Sequence, residues 1–348
     1  MTGVFRLLRL PWIVRNIIFK QFEFYDLFNI SLCSKRCKTY VASLKLLKSL
    51  KMRIRRIDLW GIDLIDKPFN DIWRMDFEKR VKSKTRNEYG HRTVDGLNMR
   101  IRQDGKNFLI VEYGRKMKPP KLLAKTILDF FIAQFSFPIH DVFFRLDDFS
   151  ELDYQMYRSI KEVESLTIYS DKCVVDENLL RDFLENVKIK DEFKINLRHP
   201  GSQNFQCELK LECDKFEIWS NARWMTADSF LGANCAKINL RNVQFTPNVY
   251  EDFVARWYYS DNTKLEMVHV WYKERWETSD FSRFSPKPWD PKQRDQIHRE
   301  KNGSQMDFAD GLDILRADGM LATIMDSPRD FHFQVWKQRF TVWNERED

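Results

Sequence analysis

The sequence predicts an α+β chain, with a small three-helix unit over residues 1–50 followed by a repeat-like α/β body over residues 51–348. Three observations carry that prediction. Apolar residues within 1–50 recur at helical spacing. From Val142 onward, short strand-like runs recur every 22–27 residues. Two Asp-Gly pairs, Asp104-Gly105 and Asp318-Gly319, sit between alternating apolar runs and mark tight hairpins.

The first helix opens at Pro11, whose missing N–H would be unpaired in a first turn anyway. Val14, Ile17 and Ile18 then recur at helical spacing. "FEFYDLFNISL" sets Leu27 with Ile30, and Phe28 with Leu32, on neighbouring faces of a second helix. Beyond Ser34, the residues Cys37, Tyr40, Val41, Leu44 and Leu47 follow a helical period, while Lys35, Lys38, Lys45 and Lys48 lie mostly off that face. Ser is a strong N-cap, worth ~1 kcal/mol. "SLCSKRCK" at 31–38 therefore reads as a helix end, a cap and a helix start. Cys33 and Cys37 share a face only if one helix runs through Ser34, and no second pair of ligands lies nearby, so no metal is expected there. Small buried thiols are the expectation. A unit this short folds poorly alone and should complete its core on the rest of the chain or on a partner.

In the body, "MRIRRIDLW" at 52–60 reads as a strand, and the polar stretch 61–95 as loop with short helix. "LNMRIRQDGKNFLIVEY" alternates on both sides of Asp104-Gly105 and predicts a hairpin. Pro119-Pro120 introduce a helix carrying Leu123, Ile127, Leu128, Phe131 and Phe135 on one face. Strands are then expected at Val142, Leu166, Phe193, Phe216, Ile238 and Leu265, spaced by 24, 27, 23, 22 and 27 residues. Two helices fall among them, one capped by Asp176 and running to Val187, the other opened by Thr246-Pro247 and bearing Val249, Tyr250, Phe253, Val254 and Trp257. This spacing predicts a degenerate leucine-rich-repeat-like body. "FQCELKLEC" at 205–213 alternates throughout, which predicts a two-faced strand with Cys207 and Cys213 in the core. Residues 273–310 are rich in Pro and charge and read as an irregular connection. A second hairpin at Asp318-Gly319 and a final strand at "FHFQVW" follow.

Composition narrows the function. Residues 1–57 hold 13 Lys/Arg against Glu23 and Asp26, so a basic head precedes a mildly acidic body. Six cysteines in 348 residues do not form a secreted disulfide framework. Arg6, Arg9, Arg15 and Pro11 interrupt any signal-peptide core, and the helical pattern runs past any transit-peptide cleavage point. No apolar run reaches the ~20 residues that span a membrane. The expected setting is intracellular, cytoplasm or nucleus. No Gly-rich phosphate loop and no Gly-x-Ser-x-Gly elbow occur. His269 falls among Leu265, Met267 and Trp271 and reads as a satisfied histidine beside the core. Asp147, Asp148, Glu151 and Asp153 lack ion-loop spacing and read as a solvated loop. Neither an enzyme nor a cofactor nor a metal is expected.

"LLRLPWIVRNII" followed by "DLFNISLCSKRCKTYV" resembles an F-box over residues 5–45: Leu10-Pro11 open the first helix, Leu27 lies in the second, and Ser31, Ser34, Lys35 and Arg36 form the Ser-x-x-Ser-Lys-Arg run. Many F-boxes carry an acidic residue soon after Leu-Pro where this chain has Trp12-Ile13-Val14-Arg15, a departure common in nematode members. "SLTI" at 165–168, "FEIWSNARWMT" at 216–226, "AKINL" at 236–240, "LEMVHV" at 265–270 and "DILRADGMLATI" at 313–324 resemble the F-box-associated domain of nematode F-box proteins, over most of 160–325. The resemblance implies a substrate receptor of a cullin-type (SCF) ubiquitin ligase. A Skp-type adaptor would bind the head and an unknown protein substrate the body. It carries over Leu10, Pro11, Val14, Ile17, Leu27, Leu32 and Ser34 as adaptor-facing or adaptor-shaping residues. The alternative is a nucleic-acid binder using the basic head. It is disfavoured because the aromatic residues there follow the apolar pattern instead of forming stacking platforms.

Overall fold

The computed structural model describes residues 7–44, 47, 49–56, 60–66, 70–79, 89–103, 108–113, 120–147, 157–158, 160–171, 178, 181, 185–198, 205–272, 278–299 and 303–339. The chain divides into two compact units, Met1–Glu164 and Ser165–Asp348. Both helices and strands are present, as expected of an α+β chain.

The first unit opens with a 3-10 turn at Leu7–Arg9 and three helices, α1 (Trp12–Phe19), α2 (Phe24–Cys33) and α3 (Lys35–Ala42). Pro11 sits one position before α1, where its carbonyl accepts the first helical bond from Arg15 N–H at 3.0 Å. Glu23 and Asp26 form a capping box at the start of α2. Ser34 separates α2 from α3, and its hydroxyl accepts from Cys37 N–H at 3.1 Å. The expected cap is therefore present. The expected buried thiols are not: Cys33 is exposed, donating to Asn29 O, and Cys37 is half-buried.

Strands β1 (Lys51–Arg56), β2 (Trp60–Asp66), β3 (Asn70–Lys79), β4 (Tyr89–Val94), β5 (Leu97–Gln103), β6 (Phe108–Tyr113) and β7 (Ile139–Arg145) form a mixed sheet in the order β7-β1-β2-β3-β6-β5-β4. The β5–β6 hairpin forms as expected, although Asp104-Gly105 lie outside the described residues. The expectation of loop with short helix over 61–95 is corrected, since β2, β3 and β4 occupy most of that stretch. Its polar residues misled the pattern because they pair across the ladder. Arg55 grips Asp63 at 2.6 and 2.8 Å and reaches Asp76 at 2.9 Å. Burial works against the Arg55 charge, yet the two carboxylates outweigh it and hold the guanidinium above its ordinary range. A Cβ at Gly61 would lie 2.6 Å from Arg55 Nη2, so glycine lets the guanidinium cross that strand. Asp95-Gly96, both at positive φ, join β4 to β5 through a two-residue turn.

Helix α4 (Pro120–Phe135) buries Leu123, Ile127, Leu128 and Phe131, as its spacing predicts, and lies against β2 and β3. Here the head completes its core. Phe24 of α2 meets Trp73 of β3 at 4.8 Å and Phe131 of α4 at 6.0 Å between ring centroids. Phe28 packs on Phe130 and Phe131 at 6.0 and 5.9 Å.

The second unit contains β8 (Glu162–Ser170), β9 (Lys188–Leu197), β10 (Lys215–Ile218), α5 (Ala227–Leu231), β11 (Lys237–Arg241), α6 (Pro247–Tyr258), β12 (Met267–Trp271), β13 (Lys287–Pro288), β14 (Ile297–Arg299), β15 (Gln305–Asp307), β16 (Leu312–Leu315), β17 (Met320–Asp326) and β18 (Asp330–Arg339). Its sheet runs β13-β16-β17-β18-β12-β11-β10-β9-β8, and β14–β15 form a separate hairpin. Strands β9 to β12 are parallel neighbours in chain order. The expectation of a degenerate leucine-rich-repeat-like body is not confirmed. The parallel run gives way to antiparallel β18, β17 and β16, and residues 205–213 enter β10 as extended chain with no helix. That stretch alternates buried and exposed as its pattern predicts, with Cys207 and Cys213 in the core, but its one pairing is an isolated bridge from Cys207 to Met225 and not a strand ladder. The helix expected over 176–187 falls mostly outside the described residues. The expectation of an irregular connection over 273–310 is corrected, since its described part contains β13, β14 and β15. They are anchored by Arg294, buried and bonded through Nε to both Asp313 oxygens at 2.9 Å. The hairpin at Asp318-Gly319 (β16–β17) and the last strand form as expected.

Alternation makes this sheet two-faced. Phe216, Ile218, Ile238, Leu240, Val268 and Val270 point to one side and are buried. Phe331 and Phe333 of β18 are buried on that side under α6, with Phe331 4.8 Å from Tyr250 and Phe333 5.2 Å from Trp257. The intervening residues are polar and face the other way.

Candidate functional site

Two surfaces stand out, one in each unit. The first is α1. It rests on the head through Phe19, which meets Tyr40 at 4.7 Å, and through Arg15, stacked over the same ring at 4.8 Å. The rest of its apolar surface is open: Trp12 is 63% exposed, Ile13 65%, Val14 42% and Ile17 58%. Half of the large hydrophobic side chains that are exposed among the described residues sit on this one short helix. A cluster of this kind on a folded surface marks an interaction site.

The structure divides the sequence-selected residues. Pro11, Val14 and Ile17 are exposed and Leu10 is half-buried, all at the N-terminal turn or on α1. Leu32 is half-buried and Ser34 exposed at the α2–α3 joint. Leu27 is 1% exposed and belongs to the interior, where it can shape the head but cannot touch a partner. Trp12 and Ile13 were missed. They fall off the Val14–Ile17–Ile18 stripe, and their signal was two large apolar side chains where many F-boxes carry an acid.

The second surface is the polar sheet face. Strand register puts Lys194, Glu217, Asn239, His269 and His332 in one row across five strands. Arg241, Trp271 and Asp330 form a shorter row beside it. Strands β9 to β12, with the β14–β15 hairpin, line a cavity of about 940 Å³. Its charges are cross-linked. Buried Glu217 accepts from Trp219 Nε1 at 3.1 Å and Asn239 Nδ2 at 2.9 Å, and pairs with Lys215 at 2.9 Å. Burial opposes the charge of Glu192, yet Lys194 and Lys215 hold its carboxyl below the usual range. Trp219 is 53% exposed at the rim, and Arg241 stacks 5.0 Å over Trp271.

His269 is buried, as expected, but it is not satisfied: its Nε2 has no hydrogen-bond partner. Burial, with His332 and Arg241 nearby, pulls its pKa down to about 2. Of the acidic run near 150, Asp147 is buried and paired with Arg145 at 2.6 Å, while the other three lie outside the described residues.

Comparisons with known proteins match a segment of each unit. Residues 7–49 match the F-box domain, and residues 204–270 match the family described as F-box associated, which spans β10, β11 and most of β12. Two Caenorhabditis elegans proteins are similar along nearly the whole chain. Uncharacterized protein F59B2.8 is 23% identical, covering 98% of this chain and 79% of its own length. Uncharacterized protein F59B2.9 is 26% identical, covering 97% and 80%. No solved structure matches. The chain thus resembles F-box proteins that carry a C-terminal F-box-associated domain, with one match in each unit. Both matched families are interaction modules, not enzyme families. Among the described residues no helix is long and apolar enough to cross a membrane.

Proposed function

We propose that this chain is the substrate-receptor subunit of a cullin-type ubiquitin ligase, with residues 1–50 binding a Skp-type adaptor and residues 51–348 presenting the substrate. The observation that carries the adaptor half is the open apolar face of α1. Trp12, Ile13, Val14 and Ile17 are left exposed among the described residues, and helix-in-groove docking uses anchors spaced in this way. Leu10 and Pro11 would set the entry of that helix, Leu32 and Ser34 the joint behind it, and Leu27 the core beneath it.

Substrate capture is assigned to the polar sheet face of the second unit. Its cross-linked charges hold the side chains in place before binding, and Trp219 is an exposed aromatic at its rim. In this reading the protein works in the cytoplasm or nucleus, where such ligases operate.

The test is co-expression of the full chain with a Skp-type adaptor, followed by pull-down. The wild type should form a stable complex and Ile13→Asp/Ile17→Asp should lose it while remaining folded. A folded wild-type chain that captures no Skp-type adaptor would overturn the proposal. Apolar docking should also depend only weakly on salt, whereas a nucleic-acid complex made by the basic head would weaken steeply.

A further inference from the structure

On the antiparallel pair β12–β18, His269 stands directly opposite His332, and Trp271 opposite Asp330. Side chains alternate along a strand, so Asp330 and His332, two positions apart, share the face that carries His269. Three metal-ligating side chains thus converge from two strands.

The distances suit one ion. His332 Nε2 lies 3.2 Å from Asp330 Oδ2, and His269 Nε2 lies 3.7 Å from the same oxygen. All three donor atoms fall within 4.8 Å of one another. Donors bound tetrahedrally to one zinc at ~2.0–2.1 Å sit about 3.3 Å apart. The two imidazole side chains are 8% and 5% exposed, with ring centroids 3.3 Å apart.

Among the described residues the donor nitrogens are not fully paired. Buried polar atoms are normally paired, yet His269 Nε2 has no hydrogen-bond partner, and the partner of His332 Nε2 is Asp330 Oδ2, itself one of the three donors. Asp330 is held from behind, since Ser327 Oγ donates to its Oδ1, fixing the orientation of the remaining oxygen.

We propose that His269, Asp330 and His332 bind a divalent transition-metal ion, zinc in the first instance, with an open coordination position facing the cavity of the second unit. Two imidazoles and one carboxylate suit zinc and its neighbours, while calcium and magnesium require oxygen ligands. His269 and Trp271 line the cavity, so the open position is reachable by water or by a donor group of whatever occupies that face. The site does not rest on the ligase reading: zinc binding and adaptor binding can each fail alone.

The full chain, stripped with a chelator, is titrated with zinc against a chromophoric competitor. One zinc per chain is expected. His269→Asn/His332→Asn and Asp330→Asn should each weaken binding by about 100-fold or more. His298→Asn, which also lines the cavity, should leave it within about threefold of wild type. If the ligand variants do not fold, cobalt(II) added to the wild type decides. Strong visible absorption from a low-coordinate ion supports the site, and a spectrum like that of the hydrated ion overturns it. Wild-type zinc affinity equal to that of a folded double variant also overturns it.

Discussion

Phe24→Ala tests whether the head is built into the first unit. Phe24 is 7% exposed and is the residue through which α2 grips the sheet and α4: its ring meets Trp73 at 4.8 Å, Phe131 at 6.0 Å, and Phe135 and Phe137 each at 6.2 Å. None of those four lies in α1–α3. Removing a buried Phe costs ~3–5 kcal/mol, through lost burial and the cavity left behind. That cost should appear as local opening of the head, because the lost contacts are those tying it down. Hydrogen–deuterium exchange on peptides from α2 should speed up more than about 100-fold, the equivalent of ~3 kcal/mol. Paired with Trp73→Ala, the double variant should be non-additive by at least ~0.5 kcal/mol, since edge-to-face rings couple by ~0.5–1.5 kcal/mol. Phe19→Ala is the contrast. Its ring contacts, Phe22 and Tyr40, lie inside the head, so it should not couple to Trp73. Less than about tenfold faster exchange in α2, with strict additivity against Trp73→Ala, would refute the reasoning.

Other consequences are as direct. Burial, with Asp330 and Glu251 nearby, raises Asp326 to about 6 despite a bond from Ser279 N–H, and its Oδ1 has no partner. The folded chain therefore holds this proton to a higher pH than the unfolded chain. Stability falls as pH rises from about 4 to about 6, by no more than ~3 kcal/mol. Asp326→Asn should remove that slope in chelator-treated protein, and parallel urea-midpoint curves for the two proteins would contradict it. Arg294→Ala leaves Asp313 as a buried, unpaired charge, and urea unfolding should show a loss of ~3–5 kcal/mol. A loss under ~1 kcal/mol would mean that the pair is not closed in solution. Trp219→Ala removes one bond to buried Glu217 and should cost about 1–3 kcal/mol, leaving the chain folded while lowering capture of the protein substrate. Unchanged capture would move the substrate surface elsewhere.

What could be read from the sequence was local. "SLCSKRCK" specified a helix joint because one serine side chain caps one backbone N–H a few residues away. The β5–β6 and β16–β17 hairpins were legible because each pairs neighbouring segments. The strands over 60–94 were hidden because Asp63 and Asp76 break the apolar alternation, and only their distant partner Arg55 makes their burial tolerable. The polar sheet face was half legible. Phe216 with Ile218 and Ile238 with Leu240 announced the buried side, but nothing in one strand states which polar residue will stand beside Glu217 or His269. The His269–His332 pairing depends on β18 returning antiparallel beside β12, which no spacing rule supplies. On α1, the apolar period marked a stripe but not which side of the helix the head would cover, and Phe19 decides that.

The most direct test of the account is calorimetric titration of the purified full-length chain with a Skp-type adaptor, comparing wild type with Ile17→Asp. The account predicts binding by the wild type that changes little between low and high salt, and a loss of about 100-fold or more in the variant, because a carboxylate would have to be buried against an apolar groove. Equal affinity in the two proteins, or no binding by a folded wild type, would contradict the assignment of α1 as the adaptor-binding face.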